Sequence, residues 1–138
     1  MSPILFHRAL IVIAICLLVP VALVIAQGAF AQTAGNAVAG KALYESKCGG
    51  CHSVDANRIG PLHRGVVGRK VAGVAGYAYS PAIKKVTGVW TPARLDQWLQ
   101  NPQKFAPGSK MFSSVPDAGQ RGNIIAYLKS VSAPAAKR

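Results

Sequence analysis

The chain has 138 residues, and 16 Lys and Arg against only 4 Asp and Glu give it a net charge of +12. That length suits one domain, and the basic excess calls for an acidic partner. The cations are scattered, with only Arg69-Lys70, Lys84-Lys85 and Lys137-Arg138 as neighbours, which argues against nucleic acid as the target; acidic protein surfaces or anionic lipid fit them better, and most are ordinary solvated lysines.

Residues 1–31 differ from everything after them. Arg8 is the sole charged residue before Ala9–Ala26, a run of 18 residues without charge, and Ala29-Phe30-Ala31 sets small residues where a signal peptidase reads them. This predicts an export signal over residues 1–31, with a domain over 32–138 starting at Gln32. The run is as long as the shortest membrane span, so an uncleaved anchor is the alternative; Pro20 in its middle and the Ala-Phe-Ala site favour cleavage. Cys16 follows Ile15 rather than a small residue, which argues against lipid attachment. Export places the domain in the periplasm and argues again against nucleic acid.

In the remaining chain, residues 32–36 are small and polar and read as a frayed lead-in. Ala37 to about Gly49 favours a helix, with Gly40 and Tyr44 one turn apart on one face. Arg58 to Tyr79 contains five glycines, one proline and no helical repeat of apolar residues, so it reads as a long loop that something must organise. In "WTPARLDQWLQNP", Thr91 caps a helix, Pro92 suits its first position, Leu95, Trp98 and Leu99 form its apolar stripe, and Pro102 stops it. Asp117 with Gln120 opens a last helix whose apolar face is Ile124, Leu128 and Val131. The class is all-α, three or more helices with long loops. A domain this size buries only about 60–65% of its unfolded surface, so a large apolar cofactor would enlarge a small core.

The chemistry is concentrated in "KCGGCHSV", Lys47 to Val54. A zinc site would need Cys48, Cys51, His52 and His63 as its whole ligand set, with two adjacent ligands on one ion and no paired second half. A thioredoxin-like redox pair should follow a strand and open a helix, whereas this motif closes a helix and enters a Gly-rich loop. Cys-x-x-Cys-His as a c-type haem attachment explains the spacing: two thiols bond one edge of the macrocycle, and the next residue, His52, is held under the iron. The haem also gives the long loop a surface to pack on.

Further landmarks follow in order: "GP" at Gly60-Pro61, "GRK" at Gly68–Lys70, "YAYS" at Tyr77–Ser80, Trp90, "NPQKFAPGSKM" at Asn101–Met111 and "IIAYL" at Ile124–Leu128. With Gly40, Tyr44 and "CGGCH" they make the chain resemble the class I cytochrome c family over nearly all of Gly35 to Val131. The resemblance implies the small cytochrome c fold around one covalent haem c, a His52/Met111 axial pair and the Pro61 carbonyl as acceptor for the free nitrogen of His52. It implies haem propionate contacts from Arg69, Tyr79 and Trp90, with Ser109 nearby, and a crossing of the first and last helices at Gly40 and Tyr44 against Ile124 and Tyr127. Met111 is also the only methionine after residue 31, so it must be the ligand if a thioether is used.

Two positions depart from the family pattern. "GPLHRG" places His63 differently from the common form, leaving a bis-histidine iron as a competing arrangement, and Trp98 stands where mitochondrial members carry a tyrosine. An iron with both axial positions filled by protein is closed to substrate, which points to an electron carrier rather than an enzyme. The implied partners are acidic docking surfaces on a quinol-oxidising complex, a terminal oxidase or a dehydrogenase, met by Lys47, Lys104 and Lys110. The rivals are a haem protein with an open sixth position, of peroxidase or gas-binding type, and a membrane-anchored carrier.

Overall fold

The computed structural model describes residues 35–133. The expected signal, its cleavage site, Cys16 and the Lys137-Arg138 end lie outside the described residues. Five helices occur among the described residues: α1 (Ala37–Lys47), α2 (Pro81–Lys84), α3 (Pro92–Gln100), α4 (Pro102–Phe105) and α5 (Ala118–Ser130). Extended pairing among these residues is limited to one isolated antiparallel bridge, Lys70 to Val89. The all-α expectation stands.

Of the lead-in expected to fray, residues 32–34 lie outside the described residues and Asn36 is tied down. The Asn36 side chain caps α1 by accepting from the Val38 and Ala39 amides, and its own amide donates to Asn123 Oδ1 at 2.7 Å. That last bond ties the start of α1 to the middle of α5. The two helices cross where α1 presents Gly40 and α5 the Asn123 backbone, with the Tyr44 and Tyr127 rings 5.2 Å apart beside the crossing. Only a residue without Cβ lets two helix backbones approach this closely.

Thr91 caps α3 through Arg94 and Pro92 is its first residue, as the sequence indicates; Leu95 and Leu99 are buried while Trp98 is half-buried. Pro102 ends this helix and also begins another, for Asn101 caps the Lys104 amide and the ring of Pro102 is fully buried. The four-residue helices α2 and α4 are too short to show a period, and their only sequence signals are the Ser80-Pro81 and Asn101-Pro102 starts.

Asp117 caps α5 through Gln120, and Ile124 and Leu128 are buried. Val131 lies just past the helix and is half-buried, and the buried face is wider than the apolar stripe because it includes Ile125 and Arg121. The Arg121 guanidinium, 6% exposed, meets Asp96 on α3 at 2.7 Å and donates to the carbonyls of Val115 and Pro116. A buried cation persists only with its donors satisfied; the Asp96 carboxylate is 38% exposed, so water screens part of the pair's attraction and the two carbonyls carry the rest of the anchoring. Arg121 thus fastens α5, α3 and the segment entering α5.

The 58–79 segment is a structured loop, as expected. It is laced to residues 88–90 by bonds from the Gly68 amide to the Trp90 carbonyl, the Trp90 amide to the Arg69 carbonyl and the Val71 amide to the Gly88 carbonyl. Ala72 turns within it at φ 54°, the one described non-glycine residue with positive φ. Loop, α1, α3 and α5 surround a cleft.

Candidate functional site

The cleft has a volume of about 400 Å³. Its walls are apolar side chains from several elements: Val66 from the loop, Ile83 from α2, Leu95 and Leu99 from α3, Ile124 and Leu128 from α5. Every site residue expected from the sequence lines this one cleft: Cys48, Cys51, His52, Pro61, Arg69, Tyr79, Trp90, Ser109 and Met111.

The cysteines arrive at the end of α1. Cys48 caps the helix with its amide on the Tyr44 carbonyl, and the amides of Cys51 and His52 both turn back to the Cys48 carbonyl, at 3.1 and 2.9 Å. One tight turn therefore brings two thiols and an imidazole to the same wall. Cys48 is half-buried and Cys51 exposed. Burial pushes the Cys48 thiol up to about 11, with Lys47 opposing.

His52 Nδ1 lies 2.8 Å from the Pro61 carbonyl oxygen. A carbonyl only accepts, so Nδ1 carries the hydrogen and Nε2 keeps its lone pair. Burial holds the His52 pKa below the usual imidazole value, with the Pro61 bond working the other way, which favours the neutral ring a metal requires. Gly60 presses against the same ring, for a Cβ there would fall on its Cε1, Nδ1 and Nε2 atoms.

His63 stacks on His52, ring centroids 4.2 Å apart and 18° from parallel, with its Nδ1 3.1 Å from the Tyr44 hydroxyl. Its pKa is pushed down to about 3, chiefly by burial and then by His52 and Arg69, so it is neutral. The shifted position of this histidine in "GPLHRG" has a structural counterpart: a second imidazole packed against the first. Arg64, the other altered residue, is exposed and pairs with Asp55.

The polar part of the lining includes donors with hydrogens to spare. Tyr79 accepts from the Val74 amide and Ser109 accepts from Gln103, which leaves each hydroxyl hydrogen free. Arg69 uses one hydrogen on each terminal nitrogen, for the carbonyls of Arg64 and Leu62, out of five N–H donors. Trp90, 9% exposed, packs among Trp98 and Phe105 at 5.7 Å from each. Trp98 sits at the cleft wall within this aromatic cluster, its ring 5.7 Å from Phe105.

Two residues here give no sequence signal. Gln103 reaches from α4 to the Ser109 and Met111 carbonyls at 2.9 and 2.8 Å. Arg58 donates to the Gly49 carbonyl at 2.6 Å, binding the loop to the cysteine turn.

The sequence model of the family described as Cytochrome c matches residues 37–132 of the chain. The chain belongs to the cytochrome c family. It is 44% identical over 103 residues to cytochrome c-type cyt cy of Rhodobacter capsulatus, a match covering 73% of this chain and 52% of that one, so the chain spans about half that relative's length. With cytochrome c of Euglena viridis it shares 44% identity over 100 residues, 70% of this chain and 98% of that one. Among solved structures, cytochrome cH from Methylobacterium extorquens matches with a TM-score of 0.67 and 44% identity, covering 70% of this chain and 99% of that chain.

Membership assigns the cofactor, one haem c held through Cys48 and Cys51, and the class, an electron-transfer protein rather than an enzyme. The residues present fit that group. An apolar cleft with two thiols and a neutral imidazole on one wall, and a thioether and unspent donors in its lining, has the donor set a covalently held macrocycle with two carboxylates needs.

Proposed function

We propose that this cytochrome c is a single-electron shuttle of the periplasm with His52 and Met111 as its axial pair. The observation that carries the reading is the bond from His52 Nδ1–H to the Pro61 carbonyl, which leaves the Nε2 lone pair free in a cleft that Met111 also lines. When bound, the haem supplies a one-electron iron couple, and a soft thioether ligand favours the ferrous side. The chain's own part is positional. The Cys48–His52 turn fixes one edge, Pro61 sets the His52 tautomer, and Arg69, Tyr79, Trp90 and Ser109 offer hydrogens to the propionates.

His63 fits a packing role better than a ligand role. The His63 ring is stacked on that of His52 against the same wall, an arrangement that supports packing around His52 rather than a separate ligand. The test is carbon monoxide added to the reduced protein at neutral pH. Slow or absent binding is expected for the native protein and rapid binding for Met111→Ala. Rapid binding by the native protein would replace the shuttle with the open-site alternative.

Residues 1–31 are proposed as the export signal and 32–138 as the haem domain, a division that the mass of the purified mature protein checks. The proposed partners are acidic docking faces on a quinol-oxidising complex, a terminal oxidase or a dehydrogenase. Lys47, Lys104 and Lys110 are all exposed, and Lys47 and Lys110 border the cleft. Electron exchange with such a partner is expected to slow about tenfold as added salt shortens the Debye length from about 30 to about 10 Å. A salt-independent rate would rule out these lysines as the docking contacts.

A further inference from the structure

Met111 belongs to a stretch with few ties. Upstream, the Ser109 amide closes a turn on the Ala106 carbonyl at 3.0 Å, and downstream the Val115 amide meets the Leu99 carbonyl at 2.7 Å. Between these two bonds, among the described residues, the only hydrogen bond made to any residue from Lys110 to Ser114 is the one from Gln103 Nε2 to the Met111 carbonyl, 2.8 Å long. Phe112, Ser113 and Ser114 are exposed and contribute no burial to hold the backbone.

The same Nε2 also reaches the Ser109 carbonyl at 2.9 Å and its Oγ at 3.0 Å. An amide nitrogen has two hydrogens for these three acceptors, so one hydrogen is shared and neither is idle. Gln103 Oε1 accepts from the Gly108 amide at 3.2 Å, where the chain turns at φ 84°. One side chain thus spans the turn from Gly108 to Met111. Its base is rigid, because α4 is capped by Asn101, seated on the fully buried Pro102 and packed through Phe105 on Trp90.

The geometry points to Gln103 as the positioning residue of the Met111 side of the cleft: its amide holds the Met111 backbone so that the thioether stays in place and the site stays closed to outside ligands. This rests on the His52/Met111 reading. The physical case is one of local opening. A segment tied at its ends and at one internal point loses that internal point when the amide is removed, and each net hydrogen bond lost shifts a local opening equilibrium by about threefold to tenfold. Global stability should move little, since Gln103 is only half-buried and belongs to no helix crossing.

The test compares haem-loaded wild type, Gln103→Ala, Gln103→Glu and Met111→Ala. The glutamate fills the same space and can still accept from the Gly108 amide but has no hydrogen for the Ser109 and Met111 carbonyls. Three readouts are taken: the sulfur-to-iron charge-transfer band of the oxidised protein, the rate of carbon monoxide uptake by the reduced protein, and the thermal midpoint. Both Gln103 variants should weaken the band and take up carbon monoxide about tenfold faster than wild type, without exceeding Met111→Ala, while the midpoint shifts by only a few degrees. Wild-type band and uptake in both variants would overturn the clamp and leave Met111 ligation standing. A wild type without the band, matching Met111→Ala in uptake, would overturn the axial assignment and the clamp with it.

Discussion

Gly40→Leu is expected to abolish the native fold at ordinary temperature, and Gly40→Ala to cost on the order of 3 kcal/mol. A Cβ on Gly40 would overlap the Asn123 carbonyl oxygen, lie 2.6 Å from its carbon and meet the Tyr127 Cβ at 3.0 Å. Two of these three neighbours are backbone, so no rotamer change relieves the clash and α1 must move off α5. Parting the helices would expose Tyr44, Ile124 and Leu128, residues now at or below 4% exposure. A typical domain has only about 5–15 kcal/mol in hand. Urea unfolding of the haem-loaded protein reads the loss as a lower midpoint with unchanged slope, and Lys41→Ala, on the exposed side of the same helix, serves as the neutral control. A native midpoint in Gly40→Ala would mean the backbones do not approach as closely as described.

The second large effect is expected at Gly60, where alanine should disturb His52 without disturbing attachment. Gly60 does not require its special backbone freedom, since its φ is not among the positive ones. It requires the absence of a side chain: a Cβ would stand 2.5 Å from both Nδ1 and Nε2 of His52. Gly60 cannot retreat easily, because its amide is bonded to the Cys51 carbonyl at 2.8 Å and its carbonyl to the Arg58 amide at 2.9 Å. The imidazole must swing instead, which breaks its bond to Pro61 and turns Nε2 away from the cleft. Losing such an outer contact commonly weakens a metal ligand by about 10–100-fold. Gly60→Ala should therefore still show haem staining on a denaturing gel, through intact thioethers, while the folded protein loses its low-spin spectrum. A wild-type spectrum would show that the ring tolerates the added methyl.

The helix starts were legible because capping is local chemistry. Thr91-Pro92 and Asp117 with Gln120 each declare themselves within four residues, and the cysteine motif within five. The candidate site residues stand out for a different reason: their types are rare in the chain, so Met111 and His52 have few competitors for the proposed roles. Arg121 was not legible, because nothing around it reveals that its carboxylate partner is 25 positions away on another helix. Gln103 was hidden in the same way, a polar residue in a polar stretch whose acceptors are carbonyls and so independent of residue type. His63 could be flagged as displaced from the family pattern, yet only three dimensions show that it lies against His52.

The tie between the Asn36 amide and the Asn123 side chain joins positions 87 apart. Closing so long a loop costs entropy before the helix contact repays it, and such long-range pairings set the pace of folding. In a chain that emerges N-terminus first, the Cys48–His52 turn is out long before α5 exists to pack against α1. Both thiols therefore precede, in order of emergence, the helix that completes the α1 crossing. The order of residues along the polymer thus sets a timetable, with the attachment cysteines first and compaction delayed until the final helix arrives.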